Sequence, residues 1–297
     1  MEKKHPQILT GPGLHGGTPA RLEIAIREPQ GAQGAPEAPG PRLRFPGTGW
    51  VSRAELASLP RLADRSTRLG SPGSEIRTPE HLLAALLFFR ESPLDIDCDA
   101  PEPPGLDGSA LAYREALARL NPAGAAAPAW RHYSSGLDWE YHWSYGSLRV
   151  RPASGFRVRY ELDRAPLRQV FVLEDPETAW REILPARTFA FHGEWREAVA
   201  RGLMTGAGPD SGMLLAESES GHRELLRAHP EWKGGPFPLL NQPEWRMENE
   251  LAKHKILDLL GDLALADLAL PAVEIDIRNG GHRINHMLVD KLLTVRY

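Results

Sequence analysis

Apolar and polar residues alternate along several short stretches of this chain, which is the period of a β-strand with one buried face. Residues 94–98, LDIDC, alternate without a break. The same period predicts further strands at residues 21–26, 147–152, 156–162, 169–173 and 273–278.

Three longer stretches have a composition and apolar spacing typical of helices. They predict helices near residues 78–89, 109–120 and 248–266. Thr78 is expected to be the N-cap of the first helix, and Pro79 its first residue, because each residue type is favoured at that position.

The order of these elements is similar in the two halves of the chain. Residues 121–129, NPAGAAAPA, have the composition of a linker between the halves, and residues 29–41 that of an exposed loop. The sequence therefore predicts an α+β fold of two similar domains, residues 1–124 and 125–297, related by an old duplication. In each domain a β-sheet would pack on helices.

Composition and charge exclude several classes of function. A net charge of −4 gives no support for nucleic-acid binding. The longest apolar run, residues 82–89, is too short to cross a bilayer, and no secretory signal follows the N-terminal lysines. We therefore expect a cytoplasmic protein without a transmembrane segment. Cys98 is the only cysteine and is expected to be a small buried hydrophobe, so His, Asp or Glu would have to bind any metal.

The most informative polar pattern lies on the predicted helix 248–266. His254, Asp258 and Asp262 are four residues apart, and they therefore share one face of the helix. An imidazole and a carboxylate at this spacing can bind a divalent cation such as zinc. Taken alone, however, this pattern is more common on a solvated helix face.

Two further segments carry candidate catalytic groups. Glu80 and His81 open the first predicted helix, where the imidazole could bind a metal and the carboxylate could reach a water molecule. Alternatively, Glu80 only interacts with the helix dipole. His282 follows a glycine pair in a predicted loop, and it is either a general acid or part of an ordinary surface turn. His286, one turn-length further on, is expected to be a surface or packing residue.

Two other segments are less specific. Thr188, in ARTFAF, could polarise a carbonyl oxygen or could simply end a strand. Residues 10–17, TGPGLHGG, form a glycine-dense turn, but their spacing is neither that of a P-loop nor that of a dinucleotide-binding loop. Hydrolysis of nucleoside triphosphates is therefore not supported.

Taken together and in order, seven segments resemble the UDP-3-O-acyl-N-acetylglucosamine deacetylases, the zinc-dependent enzymes of lipid A biosynthesis. No single segment carries the resemblance, which extends over nearly the whole chain. The segments are residues 11–17 (GPGLHGG), 65–70 (RSTRLG), 77–86 (RTPEHLLAAL), 100–110 (APEPPGLDGSA), 186–189 (ARTF), 254–265 (HKILDLLGDLAL) and 281–288 (GHRINHML).

The resemblance implies the fold and the metal site of that family. The fold has two α+β domains whose helix layers face each other across the active site. The metal is a zinc ion held by two histidines and one aspartate, which match His81, His254 and Asp258 here. Three protein ligands leave one position open for water, as a catalytic zinc site requires.

The resemblance also implies the catalytic residues. Glu80 matches the residue that takes a proton from water, and His282 matches the histidine that protonates the leaving amine. Asp262 would orient His282. Thr188 and Lys255 would stabilise the tetrahedral oxyanion.

The implied substrate is a UDP-linked, acylated glucosamine, from which acetate is released. Phe189, His15 and Leu69 are the expected substrate-binding residues, with His15 near the UDP part. The acyl passage is expected within residues 188–215, where residues 202–210, GLMTGAGPD, depart from the usual pattern of the family. The alternatives are a deacetylase of another acylated amino sugar and a metal-free binding protein on the same scaffold. We expect a monomer.

Overall fold

A computed structural model describes residues 5–28, 40–63, 66–121, 132–208 and 210–296. Five strands of the first half form one sheet in the order β1-β2-β8-β3-β4, and three others form a small antiparallel sheet. These strands are β1 (Gln7–Pro12), β2 (Pro19–Ile26), β3 (Arg42–Arg44), β4 (Val51–Ser52), β5 (Arg61–Ala63), β6 (Thr67–Leu69), β7 (Ile76–Arg77) and β8 (Leu94–Cys98).

The second half contains a matching five-stranded sheet, in the order β10-β11-β17-β12-β13, and two parallel pairs, β14 with β15 and β16 with β9. The strands are β9 (His132–Tyr133), β10 (Trp139–Trp143), β11 (Gly146–Pro152), β12 (Arg157–Arg164), β13 (Leu167–Leu173), β14 (Phe189–Phe191), β15 (Met213–Leu215), β16 (Leu270–Pro271) and β17 (Val273–Arg278).

The two five-stranded sheets have the same topology. In each, an antiparallel hairpin pairs with the central strand, β8 or β17, whose other neighbour, β3 or β12, runs parallel to it. The remaining edge strand, β4 or β13, is antiparallel. The prediction of an α+β fold with sheets packed on helices is confirmed. The predicted boundary between residues 124 and 125 lies outside the described residues and stays a prediction.

The helices of the two halves face each other. Helix α2 contacts β1 and β2, α5 contacts β12 and β13, and α1 packs against α2 in its own half and against α5 in the other. The helices are α1 (Glu80–Leu86), α2 (Leu111–Leu120), α3 (His192–Ala200), α4 (Glu219–Ala228), α5 (Glu250–Leu263) and α6 (His282–Arg296). Short helical turns lie at Leu56–Ser58, Leu87–Phe89, Pro176–Thr178 and Ala179–Ile183.

Burial explains the alternation along β8. Its apolar positions are buried, including Cys98 as expected. Asp95 and Asp97 face outward and pair with Arg42 and Arg44, their neighbours in the parallel register of β3. Because water reaches part of each ion pair, the pairs add little to stability, and burial of the apolar face holds the strand in place.

Two helix starts differ from the prediction. Thr78 is not the N-cap of α1: its φ is +49°, its side chain makes no capping bond, and its amide donates to the Thr67 carbonyl at 2.8 Å. This hydrogen bond connects the turn to β6. The chain therefore has a left-handed conformation at Thr78, and α1 begins at Glu80. His282 is not a loop residue but the first residue of α6, because the Gly281 carbonyl accepts the first hydrogen bonds of that helix.

Helices α1 and α5 approach each other closely at Gly261. A Cβ atom at this position would lie 2.0 Å from the backbone oxygen of Glu80. Only the hydrogen atom of glycine fits there. The contact therefore sets the distance between the two halves of the molecule.

Substitution Gly261→Ala is expected to lower the free energy of unfolding by about 1–3 kcal/mol, because the added methyl group must push α1 away from α5. In an unobstructed helix the same change would stabilise the protein by about 1 kcal/mol. Urea denaturation measures the difference. Gly155→Ala is the control, since a Cβ atom there meets nothing within 4 Å. Unchanged or increased stability of Gly261→Ala would contradict the close contact.

Candidate active site

A cavity of about 960 Å³ lies between the two halves. Residues from both halves line it, and eight of them carry the predicted chemistry: His15, Glu80, His81, Thr188, Phe189, Lys255, Asp258 and His282. His254 and Asp262 are not lining residues of this cavity, but they contact residues that line it. Leu69, predicted to bind substrate, lies instead in the hydrophobic core and is not a lining residue.

His81, His254 and Asp258 form a buried group with metal-ligand spacing. One ligand atom from each residue lies within 4.8 Å of the others. Asp258 Oδ1 is 3.3 Å from His254 Nε2 and 3.6 Å from His81 Nε2. Ligand atoms bound at 2.0–2.2 Å to a tetrahedral metal are roughly 3.3–3.6 Å apart. The group can therefore hold a metal ion of this kind.

The orientation of His254 and the pKa of His81 suit metal binding. His254 Nδ1 lies 3.0 Å from the Ala186 carbonyl, which can only accept, so this nitrogen carries a proton and Nε2, which faces Asp258, is the nitrogen that could bind a metal. Burial lowers the pKa of His81, which favours the neutral imidazole that a metal needs.

Asp258 is held as an anion although it is fully buried. Burial alone would raise its pKa, but Lys255, His254 and His282 outweigh this effect and hold the pKa well below its usual range. Lys255 Nζ lies 2.9 Å from Asp258 Oδ2. The negative charge that a cation would require is thus already present.

Within the described part of the chain, the Glu80 carboxylate has one oxygen without a hydrogen-bond partner. Its Oε2 atom is buried and has no hydrogen-bond partner among the described residues, and its Oε1 atom lies 3.5 Å from His282 Nε2. Burial raises the pKa of Glu80 to about 8, against the opposing effect of His282. A carboxylate with a raised pKa is a candidate general base near neutral pH.

His282 and Asp262 form a buried pair. Asp262 Oδ2 accepts a hydrogen bond of 2.9 Å from His282 Nδ1, so His282 Nε2 points toward Glu80 and Asp258. Burial would lower the pKa of His282, but Asp262, Asp258 and Glu80 raise it to about 10. The imidazolium form can therefore donate a proton at neutral pH.

The remaining predicted residues line the same cavity. Thr188 is fixed by its backbone, since its amide donates to the Gly108 carbonyl at 2.7 Å and its carbonyl accepts from Met213 at 2.8 Å. The Lys255 ammonium lies 5.2 Å from the ring centroid of Phe189. His15 belongs to the glycine-dense turn, and burial lowers its pKa. The positions of these four residues permit the predicted contacts but do not establish their roles.

A buried ion pair that sequence reasoning missed holds the segment before Thr188. Arg187 Nε lies 2.7 Å from Glu250 Oε1, and Arg187 Nη2 lies 3.0 Å from Glu250 Oε2. Arg187 also donates to Gln242 and to the Glu244 carbonyl. No local pattern could reveal this pair, because its two members are 63 residues apart.

Aromatic residues of the β10–β11 hairpin form another wall that sequence reasoning missed. Tyr141, Trp143 and Tyr145 line the cavity, and the rings of Tyr141 and Trp143 stack with centroids 5.9 Å apart. Arg283, an exposed residue of α6, lies at the same cavity. The recurrence of aromatics at every second residue from Trp139 onward is the signal that could have indicated this wall.

Comparison with known proteins identifies a family. The chain matches the family described as UDP-3-O-acyl N-acetylglycosamine deacetylase over residues 4–233 and 236–294. It belongs to this family.

Individual relatives carry a similar name. A UDP-3-O-acyl-N-acetylglucosamine deacetylase of Anaeromyxobacter dehalogenans (strain 2CP-C) is 30% identical, and the match covers 96% of this chain and 84% of the relative. The deacetylase of Brucella melitensis biotype 2 is also 30% identical, and the match covers 96% of this chain and 92% of the relative. The relative of Brucella ovis has the same identity and coverage.

The described helices of this deacetylase family member do not include a membrane span. None of them combines the length and the apolar character that crossing a bilayer requires.

Glu250→Gln is expected to lower the free energy of unfolding by about 3–5 kcal/mol, because it leaves the Arg187 charge buried without its partner. Urea denaturation tests this directly. Glu219→Gln is the control, since Glu219 and Arg223 form an exposed pair 3.7 Å apart whose loss should have no measurable effect. Similar losses in the two variants would contradict a special contribution of the buried pair.

Proposed function

We propose that this protein hydrolyses the N-acetyl amide of UDP-3-O-acyl-N-acetylglucosamine with the aid of zinc, and thereby releases acetate for lipid A biosynthesis. The observation that carries the proposal is the buried group of His81, His254 and Asp258, beside which Glu80 Oε2 has no hydrogen-bond partner among the described residues. Family membership supports the choice of substrate, because the relatives carry that substrate in their names.

The donor set fits zinc better than it fits a harder cation. Two imidazole nitrogens and one carboxylate are common ligands of catalytic zinc, whereas calcium and magnesium take oxygen ligands. When bound, a zinc ion would polarise the acetyl carbonyl and lower the pKa of a water molecule toward neutrality. The ionised Asp258 and the neutral His81 are already in the states that such binding needs.

Glu80 is proposed to accept the proton of the attacking water at Oε2. This atom has no other partner among the described residues, and Glu80 lines the cavity. Because its pKa is raised, the ionised form of Glu80 is a stronger base than an ordinary glutamate.

His282 is proposed to protonate the leaving nitrogen from Nε2. The bond between carbon and nitrogen breaks as the nitrogen gains this proton, so the amine leaves as a neutral group. Asp262 holds the opposite ring nitrogen, Nδ1, and its charge keeps the imidazolium form populated.

Thr188 and Lys255 are proposed to stabilise the oxygen that becomes negative when water adds to the acetyl carbon. Both line the cavity, and a hydroxyl and an ammonium are suitable donors to an oxyanion. Phe189 and His15 are proposed to contact the substrate, with His15 near the UDP part. We assign the acyl chain to the segment from β14 through α3 to β15, which begins at Phe189.

Glu80→Gln is expected to lower kcat by about 100-fold or more while zinc content and stability are retained, because the amide cannot accept the proton. Acetate release from the UDP-sugar measures the activity. Glu115→Gln, which changes an exposed residue of α2, is the matched control and should keep wild-type activity. Full activity of Glu80→Gln would contradict its assignment as the base.

Removal of the metal is expected to abolish acetate release, and added zinc should restore it. His254→Ala should bind less than one zinc ion per chain, because His254 is a proposed ligand. Glu80→Gln should still bind one zinc ion, because Glu80 is not a proposed ligand. Elemental analysis measures the metal independently of the activity. A wild-type protein that binds one zinc ion but releases no acetate, whatever the length of the acyl chain, would contradict the substrate and favour another acylated amino sugar. A protein without metal affinity would contradict the site itself.

A further inference from the structure

Asp262 makes more hydrogen bonds than orientation of His282 alone requires. Its Oδ2 atom also accepts from Asn285 Nδ2 at 2.9 Å, and its Oδ1 atom accepts from the Thr67 hydroxyl. His286 Nε2 lies 2.8 Å from Thr67 Oγ1 and 3.5 Å from Asp262 Oδ1. All five residues are buried.

The chemistry of these groups determines where the protons lie. The ionised carboxylate of Asp262 can only accept, so the Thr67 hydroxyl donates its single proton to it. The oxygen of Thr67 can then only accept from His286, and His286 Nε2 must carry a proton. A chain of donors therefore runs from His286 through Thr67 to Asp262 Oδ1, while His282 donates to Oδ2.

We propose that Thr67 and His286 are positioning residues, which fix the rotation of the Asp262 carboxylate and through it the direction of His282 Nε2. The proposal rests on the proposed function, in which His282 protonates the leaving nitrogen. Thr67 lies in β6 of the first half, whereas Asp262 and His286 lie in α5 and α6 of the second. The proton donor is therefore aligned only when the two halves are docked.

A second cavity gives access to His286. It has a volume of about 580 Å³, and Arg61, Met287 and Asp290 are among the residues that line it together with His286. Truncation of His286 would join the space of its imidazole ring to this cavity. A small molecule could then occupy that space without entering the substrate cavity.

The first test compares Thr67→Val with Thr67→Ser. Thr67→Val should lower kcat about tenfold at unchanged KM, because it removes the hydroxyl without altering the substrate cavity, and Thr67→Ser should keep the wild-type kcat. In an Asp262→Asn background, Thr67→Val should cause no further loss, since it acts through Asp262. An unchanged kcat in Thr67→Val, or a loss that adds to that of Asp262→Asn, would overturn the proposal.

The second test uses His286→Ala with added imidazole. Imidazole should raise the lowered kcat in a saturable way, because it can again donate to Thr67, whereas thiophene, a ring of similar size without a donor, should not. Equal rescue by the two compounds would show that His286 only fills space, and it would overturn the proposal.

A third measurement needs no substrate. In spectra of protein with nitrogen-15-labelled histidine, the His282 Nδ1 proton should give a sharp signal that broadens in Thr67→Val and returns in Thr67→Ser. If this pattern appears but the wild type releases no acetate, the proposed function fails and the positioning stands. If the signal is the same in all three proteins, the positioning fails whatever the activity.

Discussion

The contact on which the rest of the structure depends is the approach of α5 to the first turn of α1, where Gly261 meets the backbone oxygen of Glu80. Each half alone carries an incomplete site: the first supplies His81, and the second supplies His254 and Asp258. Three ligand atoms come within 4.8 Å of one another only because the two helices nearly touch. A single hydrogen atom in place of a methyl group thus allows a site to form between two sheets.

This approach also buries several ionisable groups in one place, which is costly unless the charges are balanced. Asp262 forms an ion pair with His282, and Asp258 forms one with Lys255. Glu80 is the exception, because its charged neighbour, His282 Nε2, is 3.5 Å from Oε1 and also lies 3.8 Å from Asp258 Oδ2. The protein therefore keeps one buried carboxylate poorly stabilised as an anion, and this group with the raised pKa is the one proposed as the base.

The sequence predicted those features that depend on local periodicity. The alternation of apolar and polar residues predicted β8 and β17 and the strands around them, and the spacing by four residues predicted the shared face of His254, Asp258 and Asp262 on α5. The partners of that face could not be predicted in this way, because Thr67 and Asp262 are 195 residues apart. Thr78 was misassigned for a related reason: its amide is bound by the distant strand β6, and this contact overrides the capping preference of threonine. The sequence around His286 contains no feature that would distinguish a buried hydrogen-bond donor from a surface residue.

The repeated topology makes the asymmetry of the site informative. Helices α1 and α5 both precede the central strand of their sheets. Yet α1 contributes site residues from its first turn, whereas α5 contributes them from one face along its length. The proposed base, Glu80, therefore comes from one half, and the proposed acid, His282, comes from the other. This division places the two proposed proton transfers on helices of different halves, α1 and α6. It also ties catalysis to the docking of the halves, since separation would part the base from the acid and Thr67 from Asp262.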